Sequence, residues 1–330
     1  MEIHNYKFPK IRKSQDSSIL RKLEPPPFLP FLLRILTRWF LLFLLAMPGS
    51  AGPLLAEFPQ EQAEKLCFIA VGDTGMGDRN QIKVADAMAS VAEKSRVPFI
   101  LLLGDNFYPR GVKSTEDPEW RKKFEDIYHH PSLNIPFYAV LGNHDYGGKP
   151  KAQILYTETS KRWRMPDRYY SFKRKVGDST EIEFFAIDTS AMLRKKDNRQ
   201  ISWLKEALKN SRAPWKIVYG HHPIYSYGRH GSSNKIRNQI EFLFAKHKVS
   251  LYLAGHNHCL EALKPRKGVY YIVSGAGASP KPVKKRRTTL FAKSKLGFAL
   301  LCASKKEIDV QFIDKKERLL FNYQIAKESE

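Results

Sequence analysis

The chain has 330 residues, of which 42% are hydrophobic, enough to enclose one large core. Lys and Arg total 56 against 33 Asp and Glu, a formal charge of +23, and with a mean hydropathy of −0.44 both a disordered acidic chain and a polytopic membrane protein are excluded. A positive field of that size favours anionic partners such as phosphate esters, nucleic acid or anionic membrane, without choosing among them.

The first element in chain order is a leader. Lys7, Lys10, Arg12, Lys13, Arg21, Lys22, Arg34 and Arg38 precede the apolar run Trp39 to Met47, and Pro48-Gly49 then leads to the small residues Ser50-Ala51-Gly52. This is the order of a signal peptide with its cleavage region. The rival reading is an uncleaved membrane anchor over Phe28 to Met47, whose uninterrupted apolar part is short for a span. Residues 1–56 are therefore expected to be a signal or anchor leader and residues 57–330 the functional domain.

From Leu66 onward, apolar strand-like runs end in Gly plus polar residues. Leu66 to Val71 runs into Gly72-Asp73, Ile100 to Leu103 into Gly104-Asp105, and Phe137 to Leu141 into Gly142-Asn143-His144-Asp145. Ile217 to Tyr219 runs into Gly220-His221-His222, and Leu251 to Ala254 into Gly255-His256-Asn257-His258. Between them, Gln81 to Lys94, Pro118 to His129, Ile201 to Asn210 and Lys235 to Lys246 carry the one-sided apolar spacing of helices. Four further strands are predicted at Val269 to Val273, Gly297 to Ala303, Glu307 to Ile313 and Leu319 to Gln324. The pattern is α/β, and in such folds ligands bind beyond the carboxyl ends of the strands, where every Asp, Asn and His just named falls. Cys67 and Cys302 lie in apolar runs without CxxC spacing and are expected to be buried free thiols.

One strand end in Gly-Asp is weak evidence, since a lone Asp caps turns and a lone His is usually structural. Five in succession, each delivering oxygen or imidazole after a glycine, point to a shared site. Asp73, Asp105, Tyr108, Asn143, His221, His256 and His258 supply carboxylate, phenolate, amide and imidazole but no thiolate, a mixture suited to iron, manganese or zinc. Seven donors exceed the needs of one ion. Two ions sharing a carboxylate would use them all, the arrangement that polarises a phosphoryl group while activating water.

The five motifs, Gly72-Asp73-Thr74-Gly75, Gly104-Asp105-Asn106-Phe107-Tyr108, Gly142-Asn143-His144-Asp145, Gly220-His221-His222-Pro223 and Gly255-His256-Asn257-His258, resemble those of the purple acid phosphatases among the calcineurin-like metallophosphoesterases. The small, tartrate-resistant type is the nearest match, and the resemblance extends over Phe68 to Tyr323. It implies a two-sheet β-sandwich flanked by helices, with the metal site at the carboxyl ends of the strands. It also implies a ferric ion on Asp73, Asp105, Tyr108 and His258, and a divalent ion (Fe2+, Zn2+ or Mn2+) on Asp105, Asn143, His221 and His256. His144 and His230 are implied as the acid-base pair for hydrolysis of phosphoric monoesters by metal-bound hydroxide. His222 is at most a pocket-lining residue, and His129, His130 and His247 read as surface residues. The short stretch between Asp188-Thr189 and Ser202-Trp203 leaves no room for the regulatory loop of the animal enzymes.

The expected partners are phosphomonoesters, with no obligate protein partner. The runs Lys284 to Arg287 and Lys264, Arg266, Lys267 add non-specific contact with polyanions, and a membrane enters only if the leader stays uncleaved. Two alternatives remain open: a phosphodiesterase on nucleotides or lipids with the same bimetal core, and a basic exported protein that grips polyanions. The expected location is outside the cytoplasm, periplasmic or secreted.

Overall fold

A computed structural model describes residues 65–177, 180–194 and 197–327, so the leader lies outside the described residues. Fourteen strands among these residues form two seven-stranded sheets. The first sheet runs β14-β13-β12-β1-β2-β3-β4, with β1 Leu66–Val71, β2 Ile100–Leu102, β3 Phe137–Ala139, β4 Trp163–Arg164, β12 Gly297–Ala303, β13 Glu307–Asp314 and β14 Leu319–Ala326. The second runs β11-β9-β10-β8-β7-β6-β5, with β5 Tyr170–Val176, β6 Thr180–Ala186, β7 Trp215–Tyr219, β8 Leu251–Ala254, β9 Leu260–Arg266, β10 Val269–Ser274 and β11 Thr289–Lys293.

Each sheet has a parallel heart, β1-β2-β3-β4 in one and β6-β7-β8-β10 in the other. Apart from the two-residue edge strand β4 and β6, which carries Glu181 and Glu183, these strands are largely buried and read as nearly continuous apolar runs, as parallel strands covered on both sides must. Antiparallel strands extend both sheets outward. The main core lies between them, where Phe68 of β1 meets Phe184 of β6 edge-on at 5.2 Å.

Helix α1, Arg79–Lys94, packs on β1 and β12 and starts where Asp78 accepts the N–H groups of Asn80 and Gln81. Helix α2, Pro150–Thr159, follows β3. Helices α3, Asn198–Asn210, and α4, Asn234–Lys246, bury Leu204, Leu208, Ile236, Ile240 and Leu243 in a second apolar cluster with Val218 of β7 and Tyr252 of β8. The predicted helix Pro118 to His129 is shorter, one turn at Pro118–Trp120 running into a π-turn at Arg121–Glu125. Among the described residues no helix is long and apolar enough to cross a membrane.

One expectation fails. Cys67 and Cys302 are not buried thiols: they are half-buried and joined in a disulfide, directly opposite each other in the antiparallel β1–β12 ladder. The two apolar runs that suggested separate burial are neighbours, a register that nothing local to either run encodes. Cys259 is the buried free thiol.

Candidate metal centre

Five loops at strand carboxyl ends bring the predicted ligands together. Asp73 follows β1, Asp105 and Tyr108 follow β2, Asn143 follows β3, His221 follows β7, and His256 and His258 follow β8. The turns are sharp enough that Asp73, Asp105 and His256 take left-handed backbone, with φ of 57°, 51° and 64°. Such conformations cost on the order of 1 kcal/mol or more in residues with a β-carbon and gather at functional sites. A β-carbon on Gly142 would fall 2.1 Å from Asp105 Oδ1, and one on Gly104 would fall 2.8 Å from His221 Nδ1, so neither position admits a side chain.

The two carboxylates are used asymmetrically. Asp73 Oδ2 accepts the backbone N–H of His256 at 2.8 Å, and Asp105 Oδ1 accepts that of His144 at 2.8 Å. Their other oxygens turn inward. Asp73 Oδ1 lies 3.1 Å from Tyr108 Oη and 3.4 Å from His258 Nε2. Asp105 Oδ2 lies 3.0 Å from Tyr108 Oη and 3.4 Å from His221 Nε2. On the far side, His221 Nε2 is 3.2 Å from Asn143 Oδ1 and 3.2 Å from His256 Nδ1. Asp73, Tyr108 and His258 thus gather on one side of Asp105 Oδ2, and Asn143, His221 and His256 on the other.

Outer contacts aim the imidazoles. His221 Nδ1 is 2.8 Å from Leu103 O and His258 Nδ1 is 2.7 Å from Ser279 O; a carbonyl partner demands N–H at Nδ1, which leaves Nε2 to face the centre. His222 sits beside them with its ring 4.4 Å from that of His256. Thr189 Oγ1 accepts the N–H groups of both His221 and His222, so its own proton goes to His222 Nδ1 at 2.9 Å. Neutral His222 then carries its proton on Nε2 and lines the pocket as a donor rather than a ligand.

The residues fit two cations. Asp73 and Asp105 are buried, and among the described residues their ion-pair partners are His258 and His221 rather than Lys or Arg. Burial, reinforced by Asp105, pushes the Asp73 carboxyl up to about 8. Burial opposes ionisation of Asp105 as well, but the charge of His221 holds it below the carboxylate range, and His221 in turn rises against its own burial to about 9. Burial and the two carboxylates keep the Tyr108 phenol protonated far above its ordinary value. Protein groups alone therefore retain protons among these donors, and cations are the partners that would displace them.

His144 and His230 flank the cluster. His144 Nδ1 is 2.8 Å from Pro109 O, and its ring lies 4.5 Å from that of Tyr108. His230 is exposed, with its ring 4.6 Å from that of His256, and partial burial and the nearby Arg229 charge lower its pKa. His129 and His130 are exposed, and His247 is half-buried at the end of α4.

Two positioning residues escape sequence reasoning. Asp145, fully buried, accepts the N–H of Asn106 at 3.1 Å, of Phe107 at 3.2 Å and of Gly142 at 2.8 Å, tying the Asp105 loop to the Asn143 loop. Asn257 accepts the His230 N–H at 2.7 Å while its amide donates to Ser226 Oγ at 2.8 Å, which in turn donates to Glu261 at 2.6 Å. Both stood inside recognised motifs, but their work is done on backbone atoms of other loops. The basic run also borders the centre: Lys281 N–H donates to His258 O at 2.6 Å, and Lys284 N–H donates to Tyr227 O at 3.1 Å, leaving Lys284 to Arg287 exposed.

Residues 67–260 match the family model described as calcineurin-like phosphoesterase. Tartrate-resistant acid phosphatase type 5 of Homo sapiens is 32% identical over 308 residues, covering 83% of this chain and 95% of the relative. Purple acid phosphatase 7 of Arabidopsis thaliana is 36% identical over 64% of this chain and 70% of its own. Among solved structures, GAP50, described as the anchor in the inner membrane complex of Plasmodium, superposes with a TM-score of 0.75 at 27% identity, covering 81% of this chain and 90% of that one. Purple acid phosphatase PPD1 from yellow lupin gives 0.65 at 15% identity, covering 79% and 54%.

Proposed function

We infer the function from the family to which the chain belongs, the calcineurin-like phosphoesterases and, within them, the purple acid phosphatases, dinuclear metal-dependent hydrolases of phosphoric monoesters. From that premise we propose that Asp73, Asp105, Tyr108 and His258 hold a ferric ion, and that Asp105, Asn143, His221 and His256 hold a divalent one, Fe2+, Zn2+ or Mn2+. The observation that carries the assignment is Asp105 Oδ2, 3.0 Å from the phenol of one group and 3.4 Å from an imidazole of the other. Fold likeness alone would not suffice, since one structural neighbour is described as an anchor. The donor set carries the activity.

A pair of cations held by these residues would supply positive charge to the phosphoryl oxygens and would lower the pKa of a bound water. The protein groups do the rest. Left-handed turns and backbone N–H groups fix Asp73 and Asp105, so the donors need little rearrangement. His144 and His230 hold phosphate oxygens by hydrogen bonds, and a protonated imidazole of the pair passes its proton to the departing alkoxide. Arg229 and Lys281 stand close enough to lower the pKa values of His230 and His258, and they add to the field drawing an anion in.

Two further readings complete the proposal. Residues 1–56 direct export, with cleavage near Ser50 to Gly52; the Cys67–Cys302 disulfide supports an oxidising destination. The exposed run Lys284 to Arg287 gives polyanions a non-specific foothold beside the centre. The metal assignment is tested by the visible spectrum of protein purified in air. A broad band lost in Tyr108→Phe is expected, and a colourless protein loaded with other metals would overturn the ferric site. A diester turned over faster than a monoester would replace the substrate class.

A further inference from the structure

A second concave site lies at the other end of the strands. The metal centre is built from residues that follow β7 and β8, whereas a cavity of about 520 Å³ is built from residues that precede them, from the turn before β10 and from the end of β14. The five residues of β7 separate the two by roughly 15 Å of extended chain. Arg212, Lys216, Lys248, Lys267 and Lys327 line the cavity, no acidic residue among the described residues does, and exposed Pro214 and half-buried Tyr270 add apolar surface.

Among the described residues, little offsets those five charges. Lys267 reaches Glu241 at 3.5 Å, and Lys216 gives its ammonium to the backbone oxygen of His247 at 3.0 Å. Burial lowers the Lys216 pKa, and the charge of Lys248 lowers it further against the pull of Glu183. A sphere of that volume is about 10 Å across, comparable with the Debye length of roughly 8 to 10 Å, so salt screens the mutual repulsion only in part. A volume of this size admits a ligand of small-molecule dimensions. A bound polyanion would relieve the repulsion while its body rests on the apolar part of the wall.

We propose that this cavity is a binding site, separate from the metal centre, for a small organic molecule carrying two or more phosphate or carboxylate groups. The proposal does not depend on the catalytic assignment.

The test is binding of pyranine, a fluorescent aromatic trisulfonate with no ester to hydrolyse, to the full chain at physiological salt, read by fluorescence anisotropy. Arg212→Gln with Lys248→Asn removes two charges at exposed positions, and Asn tolerates the left-handed backbone at Lys248, φ 52°. Lys83→Gln with Lys175→Gln removes the same charge from exposed positions elsewhere. The pocket variant is expected to weaken binding about tenfold or more and the control less than about twofold, unchanged thermal unfolding by circular dichroism confirming that both are folded. Equal weakening in both variants, or none in either, would overturn the proposal by assigning the dye to the general positive field. Displacement of the dye by a bisphosphonate assigns phosphate as the recognised group, and displacement by tricarballylate assigns carboxylate. Displacement by neither also overturns it.

Discussion

Asp145→Asn isolates the geometry of the centre from its chemistry, because Asp145 faces the backbone of two ligand loops and the substitution is nearly isosteric. One carboxylate oxygen accepts from Asn106 and Phe107 N–H at 3.1 and 3.2 Å, the other from Gly142 N–H at 2.8 Å and from the Asn106 amide at 3.3 Å. Either orientation of an asparagine amide sets its NH2 against one of these donors. A charge-assisted bond is lost and a buried N–H is left facing another, at a cost of about 2 to 4 kcal/mol. For a chain of this size that corresponds to a fall in melting temperature of roughly 4 to 8 °C. Because the same bonds space the Asp105 and Asn143 loops, metal affinity should fall by about 10 to 100-fold. Thermal unfolding by circular dichroism and metal content after dialysis read the two effects separately. Wild-type melting temperature together with wild-type metal retention would refute the positioning role.

Asn257→Ala should free the His230 loop while leaving the ligands in place: metal content is kept, and turnover drops about tenfold or more, chiefly for substrates with poor leaving groups. An equal drop for good and poor leaving groups would contradict a role exerted through His230. Asp314, buried between Arg318 and Lys295, is held below its ordinary value of 3.8 because the hydrogen bonds from Arg318 and Lys295 outweigh its burial. A depressed folded pKa stabilises the fold above the unfolded value and loses that contribution as pH falls through the folded one. The gap in melting temperature between wild type and Asp314→Asn should therefore be full above about pH 4 and close progressively below it, and a gap independent of pH would count against the ion pair.

The strand ends were legible because a parallel strand covered on both faces must be a continuous apolar run, and a glycine must follow where the chain turns into the site. Asp73, Asp105, Asn143, His221, His256 and His258 could be named from that pattern. Tyr108 could be named from its place just past Asp105. What failed was non-local. Strand β5 was missed because it is an edge strand whose inward Arg174 interrupts the apolar alternation, its guanidinium over the rings of Phe99, Tyr138 and Phe172. Helix α2 buries only Ala152, Gln153 and Tyr156, too little for an apolar stripe to show. The Cys67–Cys302 pair depends on a register across a sequence separation of 235. Asp145 and Asn257 were invisible as positioning residues because sequence displays side-chain types, not the remote N–H groups they accept.

The most direct test of the shared-carboxylate centre is metal stoichiometry and phosphomonoester turnover measured together on wild type and Asp105→Asn. Wild type should hold two ions per chain and hydrolyse the monoester. Asp105→Asn should hold at most one ion and lose on the order of 10³-fold or more in turnover, the scale expected when a preorganised charge-stabilising group is removed. An Asp105→Asn protein that keeps two ions and wild-type turnover would contradict the account.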